Sequence, residues 1–201
     1  MRINTIRLRA LIGWLGMILP WIVVLLIKYF PSSISATWYT NACTAFMIIL
    51  GSASLLLVCY KGYTKLDDIL LTCSGIAGLF ICLFPCANYA FDKVGTFLID
   101  TKLSGVIHNI SAIVFFALLS YNSFFLFTKT SGDMTRNKKI RNVIYRICGI
   151  GMMASFLLLL LPSFRIQIWL VETIALFFFG ISFLTKADIY PWLFCDTPYT
   201  E

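Results

Sequence analysis

Runs of about twenty apolar residues recur six times along this chain, at 11–27, 42–60, 69–87, 103–127, 143–161 and 166–184. A helix that crosses the hydrocarbon core of a bilayer needs about 20 such residues. Unpaired backbone groups cannot face lipid, so each run is predicted to be a helix and not an open strand. Of 201 residues, 60% are hydrophobic and only 12% are charged. A soluble domain is about 45–50% apolar and about 25% charged. This balance excludes a disordered tail, a basic nucleic-acid-binding domain and an ordinary cytosolic enzyme. The expected fold is all-α: one polytopic membrane domain over residues 1–201, a bundle of six transmembrane helices. Little chain is left outside the bilayer, so any chemistry belongs inside the bundle or at its mouths.

Prolines punctuate these runs. Pro31 follows the first, Pro85 falls near the end of the third, and Pro162 separates the fifth from the sixth in a very short turn. That short turn predicts antiparallel neighbours. Pro20, inside the first run, is expected to kink it, as membrane-helix prolines do. The first run has a basic start (Arg2, Arg7, Arg9). At 17 residues it is longer than a signal-peptide core, so an uncleaved first helix is expected.

Basic residues flank the cytoplasmic ends of membrane helices. With six spans, 12 of the 16 lysines and arginines fall with the two termini and the even-numbered loops, counting Arg146 at the start of the fifth run. The opposite side holds only Lys28, Lys93, Lys102 and Arg165. Both termini are therefore expected in the cytoplasm of a multi-pass protein of the cell membrane, here a bacterial inner membrane. The net charge of +7 then reflects orientation and anionic lipid, not nucleic acid. The densest basic cluster, Arg136, Lys138, Lys139 and Arg141, suits lipid headgroups. Its alternative is a plain topology signal. Arg146 and Asp68 could pair at the cytoplasmic mouth, or Arg146 could snorkel to headgroups.

Ionisable residues inside membrane runs are costly and point to function. His108, the sole histidine, and Glu172 stand out, each about six residues into its run. Asp100, Ser104, His108 and Ser111 are spaced by 4, 4 and 3, and so share a helical face. Asn122 continues that face. Such a stripe should look into the bundle. The functional reading is an outward-facing pocket lined by Ser104, His108, Ser111 and Glu172, with Tyr39 and Asp100 at its rim. The structural reading is an interhelical hydrogen bond joining the fourth and sixth helices.

No cysteine pair has CxxC spacing, and no four-ligand metal pattern exists. In an oxidising compartment Cys43 and Cys86 would be the pair for a disulfide. Gly75, Gly78, Cys82 and Cys86 form a stripe of small residues suited to close helix packing. Trp21, Trp38, Trp169 and Trp192 sit near run ends, as interfacial anchors do. Phe115-Phe116 and Phe177-Phe178-Phe179 suit either lipid contact or core filling. Phosphate loops, HExxH and GxSxG are absent. No catalytic residue, metal or cofactor is assigned.

Three features together carry a resemblance: His108-Asn109-Ile-Ser-Ala-Ile-Val-Phe-Phe opening the fourth run, the basic loop before the fifth, and Glu172 opening the sixth. Over residues 10–185 they resemble the small bacterial six-helix membrane proteins called domain of unknown function 998. That resemblance implies a fold and a location but no activity. Ser104 and His108 also match the Ser-x-x-x-His pair of alkaline-ceramidase-like membrane hydrolases. The His-x-x-x-His zinc pair of those enzymes has no counterpart here. The leading expectation is a non-enzymatic sensor, ligand-binding or interaction module. An oligomeric channel or a proton- or cation-coupled transporter using His108 and Glu172 comes second, and a lipid-modifying hydrolase third. The expected partners are membrane lipids, with a second copy of the chain or another membrane protein as macromolecular candidates.

Overall fold

The computed structural model describes residues 5–62, 64–129, 135–158 and 168–187. Among them are six α-helices: α1 (Thr5–Ile27), α2 (Cys43–Val58), α3 (Lys65–Leu83), α4 (Thr101–Tyr121), α5 (Arg136–Leu158) and α6 (Ile168–Lys186). A 3₁₀ turn, Ser35–Tyr39, precedes α2, and a π-helical turn, Asn122–Leu126, prolongs α4. Two residue pairs, β1 (Lys93–Val94) and β2 (Ile99–Asp100), form a small antiparallel hairpin before α4. Four helices are long and apolar enough to cross a membrane: α1, α3, α4 with its π turn, and α6. The α2 helix is apolar but shorter, and α5 opens on a charged turn. Pro162, Arg165, Arg2 and Trp192, with the expectations placed on them, lie outside the described residues.

Each helix packs mainly on its neighbours in sequence, and α1 closes on α6, so the six form a ring. In lipid, helices gain little from apolar burial against one another, and close approach of small residues does more of the work. A Cβ on Gly13 would lie 2.9 Å from the Gly180 carbonyl oxygen, and a Cβ on Gly180 2.9 Å from that of Gly13. These two glycines are the α1–α6 crossing. A Cβ on Gly75 would fall 2.5 Å from the Ser54 carbonyl oxygen, so the small stripe of α3 does pack closely, against α2. The centre of the ring is filled by Phe46, Phe115, Phe179 and Phe183, all buried. The paired phenylalanines Phe115 and Phe116 are core, whereas Phe177 is exposed.

Several helix boundaries differ from the apolar runs for local reasons. The α3 helix starts at Lys65, not 69, because Thr64 and Asp67 form a capping box there: Thr64 Oγ1 accepts from Asp67 N at 3.3 Å, and Asp67 Oδ2 accepts from Thr64 N at 2.9 Å. It stops at Leu83, not 87, because Pro85 has no N–H to continue the ladder. The α5 helix begins at Arg136, seven residues before its apolar run. Pro20 lies buried within α1. Lys28, just past α1, has φ +63°, a left-handed position usual for glycine.

Candidate functional site

The third helix ends inside the bundle, and that ending organises the site. Its last carbonyls and those of the following Phe84-Pro85-Cys86 segment have no helical donors. Four side chains from two other elements supply them. Trp38 Nε1–H donates to the Cys82 carbonyl at 3.2 Å, and His108 Nδ1–H to that of Phe84 at 2.8 Å. Ser104 Oγ–H donates to the Pro85 carbonyl at 2.8 Å, and the Tyr39 hydroxyl to that of Cys86 at 2.6 Å. A carbonyl oxygen cannot donate, so Nδ1 of His108 carries the proton. The imidazole also reaches the carbonyl of Ile81, the residue whose helical donor would have been the missing N–H of Pro85. Ser104 and His108, one turn apart on α4, thus serve the same stretch of main chain.

Glu172 does the complementary task. Ile34 N–H donates to its Oε2 at 2.5 Å and Ser35 Oγ–H to its Oε1 at 3.3 Å. The carboxylate therefore receives the donors at the start of the 3₁₀ turn, as an acidic residue does at a helix N-terminus. That turn carries Trp38 and Tyr39 to the end of α3. The chain thus runs from Glu172 on α6, through the turn, to the end of α3 and on to His108 on α4.

His108 and Glu172 line one cavity of about 540 Å³. This lies within the usual range of roughly 300–1,000 Å³ for small-molecule sites. All six helices contribute to its wall, among them Leu19, Leu50, Ile81, Phe116, Phe156 and Leu176. Its polar end holds Ser35, His108, Asn109 and Glu172. The cavity lies beside the α4–α5 contact, the sparsest between sequence neighbours in the ring. There Asn109, Ile113 and Leu157 are exposed, Ile113 by 60% and Leu157 by 61%.

Ser104, His108, Ser111 and Asn122 are all buried, so the α4 stripe does face inward. Ser104, Ser111, Asp100 and Tyr39 are not part of the cavity wall. Asp100 is exposed and caps α4, accepting from the N–H groups of Lys102 and Leu103 at 2.9 and 3.1 Å. No hydrogen bond joins Ser104 to His108, and none joins His108 to Glu172; the two ionisable groups share a cavity without pairing. Burial, with Cys86 adding to it, pushes the Tyr39 phenol up to about 12. Cys43 and Cys86 are free thiols. Among the described residues no three His, Cys, Asp or Glu side chains converge on a metal position.

The Arg146–Asp68 pair is not formed. Asp68 Oδ1 accepts from Gly62 N at 2.6 Å, and its Oδ2 lies 4.0 Å from Lys61 Nζ, while Arg146 is exposed. The basic cluster divides. Arg136 and Lys139 are exposed and Arg141 is partly so, but Lys138 is buried and turns inward, its Nζ donating to the Phe127 carbonyl at 3.1 Å. A lysine engaged in this way is not presented to headgroups.

Lys138 belongs to a cluster that hydropathy does not reveal. Its Nζ lies 5.8 Å from the ring centre of Tyr145. Lys186 Nζ lies 5.1 Å from that of Phe127 and 5.7 Å from that of Tyr145, within reach of cation–π attraction. Arg9 Nε–H donates to the Tyr60 hydroxyl at 2.8 Å, and its Nη1 to the Lys186 carbonyl at 3.2 Å. The signal available in sequence was the placement of Lys186 and Lys138 within helical register of apolar and aromatic positions.

No protein-family model, curated protein or solved structure matches the chain.

Proposed function

We propose that the chain is a multi-pass protein of the cell membrane that crosses the bilayer six times with both termini in the cytoplasm, and that it is a non-enzymatic ligand-binding module. The observation that carries this reading is the cavity: walled by all six helices, polar at its Glu172 end, and flanked by exposed apolar residues of α4 and α5. An apolar mouth on the side of a membrane helix bundle admits molecules dissolved in lipid. The polar end orients them. Ser104 and His108 each donate to main chain and not to each other, which gives a hydrolytic dyad no support. The phenylalanine-filled centre of the ring favours a closed pocket over a water-filled pore through one chain.

Filling the cavity tests this reading. Ala112 lines the wall from α4, and Ala112→Trp would occupy space without altering a hydrogen bond. The full chain, purified in detergent and examined by native mass spectrometry, is expected to retain added dodecanol, and Ala112→Trp to reduce retention about tenfold. Equal retention by both proteins would remove the cavity as a binding site.

A further inference from the structure

The chemistry of the cavity wall selects among membrane-dissolved molecules, and this selection rests on the ligand-binding reading above. Most of the wall is aliphatic or aromatic. From His108 to Ala117 the α4 wall rises about 13 Å at 1.5 Å per residue, enough for an alkyl chain lying along it. The polar groups gather at one end, so a ligand that satisfies both regions has one apolar tail and one polar head.

The head must suit Glu172. Among the described residues of the wall there is one carboxylate and no lysine or arginine. His108 makes no hydrogen bond to it; its Nδ1–H is directed at the Phe84 carbonyl. Both carboxylate oxygens of Glu172 take hydrogen bonds from the Ile34–Ser35 turn. A carboxylate has about four acceptor positions, so capacity remains for a donor entering from the cavity. In an apolar surrounding, charge–charge terms are large compared with those in water. A second anion placed beside the ionised carboxylate would be repelled, and a head rich in N–H donors would be attracted. The Ser35 hydroxyl oxygen and the Asn109 carboxamide oxygen add neutral acceptors at the same end.

We infer that the cavity takes a single-chain amphiphile with a protonated amine head, the ammonium donating to Glu172 and the alkyl tail lying between α4, α5 and α6. Binding is non-covalent. The mouth beside Ile113 and Leu157 admits the tail from the lipid side, and anionic amphiphiles such as fatty acids are rejected by the same carboxylate that holds the amine.

Three probes of equal chain length separate the head from the tail: dodecylamine, dodecanol and dodecanoate, each titrated at pH 8.5 against the full chain by native mass spectrometry. Dodecylamine is expected to bind about tenfold or more tightly than dodecanoate, with dodecanol between them. Glu172→Gln is expected to weaken dodecylamine at least about fivefold more than it weakens dodecanol. Because Glu172 also receives the Ile34–Ser35 turn, a second variant is needed. Asn109→Lys, at the exposed mouth, leaves that turn intact and is expected to weaken dodecylamine and strengthen dodecanoate. Wild-type protein that binds dodecanoate as tightly as dodecylamine would overturn the amine assignment, as would dodecylamine affinity unchanged in both variants. Dodecanol binding with no head preference would leave the cavity as a binding site and remove only the amine. Failure of all three probes to bind would remove the ligand-binding reading itself.

Discussion

At one end of the ring, Trp38, Tyr39, Ser104, His108 and Glu172 direct their polar atoms at main-chain groups left without helical partners. At the other end, Arg9, Lys138 and Lys186 lie against the rings of Tyr60, Phe127 and Tyr145. Both ends bury polarity in a largely apolar protein, but they solve different problems. The first exists because Pro85 stops α3 early and a short turn must be held across the gap. Its side chains act as caps, and beside them a cavity remains. The second is closed by long cationic side chains whose stems and heads cover aromatic faces, and it packs fully: Tyr145 is 2% exposed. A capped end with space beside it suits ligand entry. An end filled with rings and cations suits anchoring and orientation.

Single substitutions distinguish the two ends. The largest loss is expected at the packed end. Tyr145→Ala would remove the ring between Lys138 and Lys186 and open a cavity, costing about 3–5 kcal/mol, read as a lowered midpoint of denaturant unfolding in detergent. A loss no larger than that of a surface variant would mean that this end is not tightly packed.

At the capped end the loss should be smaller and specific. His108→Leu keeps the volume but leaves the Phe84 carbonyl without its donor, for about 1–3 kcal/mol. His108→Asn, which can still donate, should recover part of it. An equal loss in both variants would assign the histidine to packing instead of capping.

Tyr39 gives the capped end a pH dependence. Its folded-state pKa is raised to about 12 from 10.0. A group with a raised folded pKa stabilises fully below its unfolded value and loses that contribution as pH rises through the folded one. Wild-type stability should therefore fall between about pH 10 and pH 12 more steeply than that of Tyr39→Phe, the two running parallel below pH 10. Parallel curves throughout would mean that burial does not raise the phenol.

The smallest effect is expected at Asn122. It is buried in the π-helical turn, and neither polar atom of its carboxamide has a hydrogen-bond partner among the described residues. Asn122→Leu replaces an unsatisfied polar group with an apolar one of similar size, so stability should stay within about 1 kcal/mol or rise. A larger loss would show that the carboxamide is engaged in the membrane.

What could be read from the sequence follows the physics of each feature. Helices appear in hydropathy because lipid enforces both length and polarity, and the inward stripe of α4 appears because Ser104, His108 and Ser111 keep helical spacing. The start of α5 at Arg136 was hidden, because a polar helical turn looks like a loop when only apolar residues are counted. The caps were hidden for another reason: the partners of His108, Ser104 and Glu172 are backbone groups, which every residue carries and no residue type announces. Arg9 and Lys186 meet across 177 positions, a contact that no local pattern encodes.

A head-neutral photoaffinity probe addresses the cavity beside His108 and Glu172 without relying on the preferred ligand. Dodecanol carrying a diazirine in its chain, irradiated with the full-length protein in lipid nanodiscs, should label Ala112, Phe116 and Leu176 within the wall, and unlabelled dodecanol should compete. Labelling spread evenly over outward-facing residues such as Leu25, Ile48 and Leu55, with no competition and none within the wall, would contradict a binding site there.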